Sequence, residues 1–178
     1  RLIQFPMALT ATAVATAMLP QLSQFLLEKR HDDLRDMMAF VKRIEIVLMM
    51  PATLGLMFLG LPIVELIFQR VNWTAQASIG SYWALVFYAP GLLPMGWARI
   101  LVQLSYARQD LMTPLKAATW GIAVNIVLNW LLAFHTPLAR HLPQAGLAIA
   151  FSIGVYVNYW VLARAMKREL GDASAAQS

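Results

Sequence analysis

The sequence predicts an all-α fold, a polytopic transmembrane bundle of about five spanning helices, and three observations carry that prediction. Apolar residues make up 60% of the chain and charged residues only 13%, with a mean hydropathy of +0.60, whereas a soluble domain typically carries about 25% charged residues. The apolar residues gather in five runs, each near or beyond the roughly 20 residues that a helix needs to cross the hydrocarbon of a bilayer. No run alternates apolar and polar residues for long enough to suggest a barrel strand.

The first run covers residues 2–27, with Pro6 and Pro20 near its ends. It opens at Arg1 with neither a basic flank nor a cleavage site before it, so it is not a signal peptide. The chain reads as a portion of a longer one that starts inside a helix. Residues 28–43 are charged, with Leu34, Met37, Met38 and Val41 at helical spacing. That pattern predicts a short amphipathic helix lying along the interface. The second run, 44–68, contains Pro51 and Pro62, and a short polar connection follows at 69–78. The third, 79–104, contains Pro90 and Pro94. Arg108 to Thr113 is a tight polar turn before Pro114, a proline suited to the first turn of a helix. The fourth run is 114–134, and a loop from His135 to Pro143 leads to the fifth, 144–166. Together they set out a transmembrane domain over 1–168. The small polar residues of 169–178 read as a disordered tail.

Basic residues orient the spans. Lys29, Arg30, Arg35, Lys42 and Arg43 lie between spans one and two; Arg99, Arg108 and Lys116 around the turn after span three; Arg164, Lys167 and Arg168 after span five. The other side holds Arg70 and Arg140, with Arg1 at the start of the chain. Cytoplasmic loops carry the excess of Lys and Arg, which places those three clusters and the C-terminus inside. The net charge of +5 therefore reads as topology signal and lipid-headgroup contact rather than nucleic-acid binding.

No catalytic constellation, phosphate-cradling glycine loop or metal-ligand motif is present, and there is no cysteine. The sequence therefore predicts neither an enzyme nor a bound cofactor. His31, His135 and His141 fall in loops. Pro90 and Pro94, paired within one span, are candidate hinges, the alternative being static kinks. Asn125 and Asn129 are four apart and share a helix face. Two carboxamides on one face suit a cation or a polar cavity, or equally hydrogen bonds between helices. Asn158, Thr10, Thr12 and Thr16 carry the same two readings. Glu45 is expected near the inner end of span two, screened by Lys42 and Arg43, and Glu65 near its outer end in reach of water. Arg1 is either a membrane-buried guanidinium suited to bidentate phosphate binding or an interfacial arginine that snorkels.

Several motifs resemble the MurJ/MviN lipid II flippase family. Arg1-Leu2-x-x-Phe5-Pro6 with Leu19-Pro20-x-Leu22-Ser23 is similar to the family's eighth-helix signature. Pro51-Ala52, Gly55-Leu56, Pro62-Ile63 and Phe68 resemble its ninth helix, and Asn72-Trp73-Thr74 the turn that follows. Tyr106-Ala107-Arg108-Gln109-Asp110-x-x-Thr113-Pro114 is the most specific likeness, and Asn125-x-x-x-Asn129 with Ala145-Gly146-Leu147-Ala148 completes the set. Ala8, Thr10, Ala11, Val71, Arg99 and Ser105 depart from the family's usual residues.

The resemblance implies a two-lobed exporter fold of the multidrug/oligosaccharidyl-lipid/polysaccharide superfamily, of which this chain is most of the second lobe. It implies lipid II as substrate, Arg1 as a ligand of its anionic head, an N-terminal lobe as partner, and the bacterial inner membrane as location. A related exporter of another lipid-linked oligosaccharide, a multidrug antiporter, a non-transporting scaffold and a non-functional remnant are the other readings. The topology is tested by single cysteines and an impermeant thiol reagent applied to intact cells. Positions 72 and 135 should label and position 33 and the tail should not; labelling at 33 would reverse the orientation.

Overall fold

The structure, a computed structural model, describes residues 17–18, 20–28, 30–68, 75–135 and 143–175. Among these, all regular structure is helical. A first helix, α1, is described over 17–18 and 20–27. It is followed by α2 (His31–Phe68), α3 (Ala75–Tyr88), a 3₁₀ turn (Ala89–Gly91), α4 (Leu92–Ala107), α5 (Met112–His135) and α6 (Pro143–Ala175). Four stretches, Asp32–Leu66, Ser78–Ala107, Met112–Leu132 and Gln144–Arg168, are long and apolar enough to cross a membrane. They correspond to predicted spans two to five. Most of span one, with Arg1, Thr10, Thr12 and Thr16, lies outside the described residues.

The sequence reading is corrected at four places. Residues 31–43 are not a separate interfacial helix, because α2 runs unbroken for 38 residues. At 1.5 Å per residue that is about 57 Å, nearly twice the hydrocarbon thickness, so α2 extends well beyond it. Asp32 and Asp33 sit in its first turn, where the helix dipole favours acids. Arg30 bonds Asp33 at 2.8 Å just ahead of it. The apolar stripe that suggested a lipid-facing surface faces protein instead. Leu34 and Val41 are buried with Leu22 of α1, Leu101 and Leu104 of α4, Ala117 of α5, and Leu162 and Met166 of α6.

Predicted span three is two helices, not one, since the 3₁₀ turn at Ala89–Gly91 divides it at Pro90. Pro51 and Pro62, by contrast, lie inside a continuous α2. The last helix continues to Ala175, so most of the tail set apart at 169 is helical. His31 and His135 are terminal residues of helices rather than loop residues.

α6 is the central element, packed against α3, α4 and, most extensively, α5. Large apolar side chains remain exposed along α2 (Val47, Leu54, Phe58) and α5 (Trp120, Ile126, Trp130). In water such continuous faces would be a liability, and in a bilayer they meet acyl chains.

The α4–α5 connection is built from its own residues. Asp110 N–H donates to the Ser105 carbonyl and Gln109 N–H to the Tyr106 carbonyl, both at 2.9 Å. This double closure of a helix end requires a left-handed residue, usually glycine, and Gln109 fills it at φ 61°. Asp110 then caps α5, its Oδ1 accepting from Met112 N–H at 2.9 Å and Thr113 N–H at 3.0 Å.

Asp110→Ala should therefore lower the stability of the detergent-solubilised protein by about 0.5–2 kcal/mol, read by thermal unfolding. The hydroxyl of Thr113, followed by its backbone N–H, holds the Asp110 carboxyl below its ordinary value of 3.8. A carboxyl depressed by folding contributes above its unfolded value and loses that contribution as pH falls through the folded one. The difference between wild type and Asp110→Ala should be full at neutral pH and shrink as pH drops below 3.8.

Candidate functional site

The site begins with two glycines. A Cβ on Gly121 of α5 would stand 2.9 Å from the Gly154 carbonyl oxygen of α6, and a Cβ on Gly154 would stand 2.9 Å from that of Gly121. Small residues at such a crossing let two membrane helices approach backbone to backbone. One turn along each helix is an asparagine, giving Gly121-x-x-x-Asn125 and Gly154-x-x-x-Asn158. Asn158 lies against Gly121 and Asn125 against Gly154.

Both asparagines open onto a cleft of ≈ 530 Å³ between α4, α5 and α6. Its apolar walls include Met95 and Val102 of α4, Ile122 of α5, and Phe151 and Val155 of α6, and Arg99 of α4 supplies a cation. A guanidinium and two carboxamides in an otherwise apolar, membrane-level cleft suit an amphiphile with an anionic or hydroxyl-rich head.

The predicted site residues divide. Asn125 lines the cleft, but Asn129 does not. Instead Asn129 Nδ2 donates to Asn125 Oδ1 at 3.1 Å. The expected bond between helices is thus a bond along one helix, four residues apart. The Oδ1 atoms of Asn129 and Asn158 are buried without a hydrogen-bond partner.

Pro90 sits in the 3₁₀ turn and Pro94 is buried in the first turn of α4. Two side chains of α6 meet the carbonyls around this break. Ser152 Oγ donates to the Phe87 carbonyl at 2.6 Å and Tyr156 Oη to the Pro90 carbonyl at 3.2 Å. Arg1 lies outside the described residues.

The structure departs from the screening expected for Glu45. It is fully buried, and neither carboxylate oxygen has a hydrogen-bond partner among the described residues. Arg43 is exposed, and the Lys42 ammonium lies over the Tyr159 ring, 5.8 Å from its centroid. Neither screens Glu45 in the way expected. Its carboxylate packs instead on Gly96 of α4.

The family model described as lipid II flippase MurJ matches residues 1–177. The chain belongs to the lipid II flippase MurJ family. It is 32% identical over 166 residues to the probable lipid II flippase MurJ of Vibrio cholerae, covering 93% of this chain and 30% of that protein. It is 30% identical to the corresponding protein of Rickettsia prowazekii, covering 91% and 31%. It is 29% identical to the lipid II flippase MurJ of Burkholderia cenocepacia, covering 91% and 30%. The fold matches a solved lipid II flippase MurJ in an inward closed conformation, with a TM-score of 0.73 at 23% identity, over 97% of this chain and 36% of that one. The chain thus spans about a third of the length of its MurJ relatives. It is a bacterial membrane protein of a transporter family.

Gly154→Ala places a methyl group against a backbone carbonyl that no rotamer change can move. Overpacking of this kind costs about 1–3 kcal/mol. The variant should insert normally, unfold at lower temperature and open the α5–α6 crossing, read as a longer distance between spin labels on the two helices. An unchanged distance and stability would mean the crossing is loose.

Proposed function

We propose that this chain is part of the second lobe of a lipid II flippase, which carries the undecaprenyl-diphosphate-linked peptidoglycan precursor from the inner to the outer leaflet of the bacterial inner membrane for cell wall synthesis. The observation that carries the reading is the MurJ family match over residues 1–177. The cleft supports it, because a cation and carboxamides within a membrane bundle are the groups a diphosphate-sugar head requires.

The chemistry is shielding rather than bond making. The charged head cannot cross hydrocarbon unaided, so a polar cavity encloses it while the prenyl tail stays among lipids. The cavity opens to one side at a time. Arg1 is assigned to the head, its fork matching phosphate oxygens two at a time. Asn125 and Asn129 form a polar patch at the same lobe, and Pro90 with Pro94 the hinge on which α4 moves. The 3₁₀ break at Pro90 supports that hinge, since it interrupts the regular helix between α3 and α4. The N-terminal lobe supplies the other wall, and the C-terminus is cytoplasmic, as the basic residues imply.

The test uses the full-length protein carrying this lobe, in cells depleted of their own flippase. Wild type should restore growth and exposure of lipid II at the outer leaflet. Failure of normally abundant wild type to do so would overturn the cargo and favour an exporter of another lipid-linked oligosaccharide. Arg1→Ala should keep normal abundance and lose flipping, and Arg1→Lys should retain part of it. The missing contact corresponds to about 1.5–3 kcal/mol, roughly ten- to a hundredfold in affinity. Normal flipping by Arg1→Ala would remove Arg1 from the site.

A further inference from the structure

Glu45 is not among the residues that line the cleft, and a bare glycine backbone faces it. It lies within the candidate span Asp32–Leu66, fully buried, with both carboxylate oxygens lacking a hydrogen-bond donor among the described residues. On the facing helix is Gly96, where any larger residue would collide with the carboxylate, since a Cβ there would overlap Glu45 Oε1. An ionised carboxylate buried without donors is costly, and a protein resolves the cost by pairing the group or by letting it take a proton. Intramembrane acids in that position are characteristic of ion and proton pathways.

The charged and titratable groups around it narrow the choice. From α4 comes Arg99, three residues along from the Gly96 that faces the carboxylate. From α2 itself Lys42 is turned onto the ring of Tyr159, the titratable residue that α6 contributes. Glu28 of α1 is held at the exposed surface by Gln24 and Arg30. Tyr82 of α3 donates to the Met57 carbonyl, three turns further along α2.

Gly96 and Arg99 are three residues apart, so they follow each other along one face of α4. With Gly96 opposite, Glu45 meets bare backbone and no donor. A slide of α4 by one helical turn, on the break at Pro90, exchanges Gly96 for Arg99 and gives the carboxylate a guanidinium partner. Shifts of one turn between packed helices are a known form of conformational switching.

We propose that Glu45 is a proton-binding site within this lobe: it is a neutral acid when packed on Gly96, and it gives up its proton when α4 brings Arg99 to it. Uptake forms one O–H bond on a carboxylate oxygen, with the proton drawn from water. Release breaks that bond and returns the proton to the cleft that Arg99 lines. Nothing is oxidised or reduced. The site is independent of which lipid-linked molecule is carried.

The test uses the full chain in lipid nanodiscs and infrared difference spectra recorded across a pH series in H₂O and D₂O. The expected result is a carboxylic-acid C=O band, shifted by deuterium, that persists at pH values where the exposed carboxylates are fully ionised. Glu45→Gln should abolish that band. Gly96→Ala leaves the acid in place but displaces it, and should shift the band or the pH at which it disappears. A spectrum of Glu45→Gln identical to wild type overturns the proposal. If circular dichroism shows that Glu45→Gln has lost its helices, Gly96→Ala decides, and a band unmoved in both frequency and pH overturns it equally.

Discussion

A backbone carbonyl freed inside hydrocarbon has no water to turn to, so a broken helix survives there only if a neighbour supplies a donor. The lobe is arranged around that requirement at Pro90. The break between α3 and α4 leaves carbonyls that α6 meets with the hydroxyls of Ser152 and Tyr156. Those two residues are four apart and share one face. Gly154 and Asn158, offset from them by two positions, face α5 instead. α6 therefore works on two sides at once, supplying donors to the interrupted span and a bare backbone to its tightest neighbour. Moving α6 would undo both.

The difference between the two contacts matters for motion. The α5–α6 crossing is steric, backbone against backbone, and has little room to slip. The contact of α6 with the break includes two hydrogen bonds, individually modest in net contribution, and Ala89 and Leu92 of the break are buried against Leu56 of α2. Any rearrangement in this lobe is thus expected to keep α5 and α6 together and to spend its motion at the α3–α4 break. Arg99 and Gly96 are both on α4. The side chain best placed to meet an anion and the residue that accommodates Glu45 are carried by the same short helix.

Much of this was legible along the chain, and the limits were physical. Apolar length and proline placement located spans two to five, and the turn from Tyr106 to Pro114 could be read because capping is local. The stripe Leu34, Met37, Met38, Val41 was read as facing lipid because a helix presents the same spacing to lipid as to protein. Only the positions of α1, α4 and α6 decide between them. Glu45 went astray for the same reason, since Gly96 is 51 positions away in sequence and nothing local pairs them. Asn125 and Asn129 were correctly placed on one face, but that they would bond to each other, leaving Asn158 to share the cleft, depended on the register of two helices.

The α4–α5 connection has a consequence for how such a protein is made. Asp110 closes one helix and opens the next, and the backbone and capping bonds of the turn lie within residues 104–113, while the Arg108 side chain reaches Met166 of α6 at 3.6 Å. The backbone reversal is thus closed by local bonds. As the chain emerges from the ribosome, α4 and α5 can form a hairpin and enter the bilayer as one unit, before α6 has been synthesised. The interrupted span then waits, with its carbonyls near Pro90 unmet, until α6 arrives to receive them. The order of insertion and the order of stabilisation are therefore different, and α6 is the piece whose arrival completes the lobe.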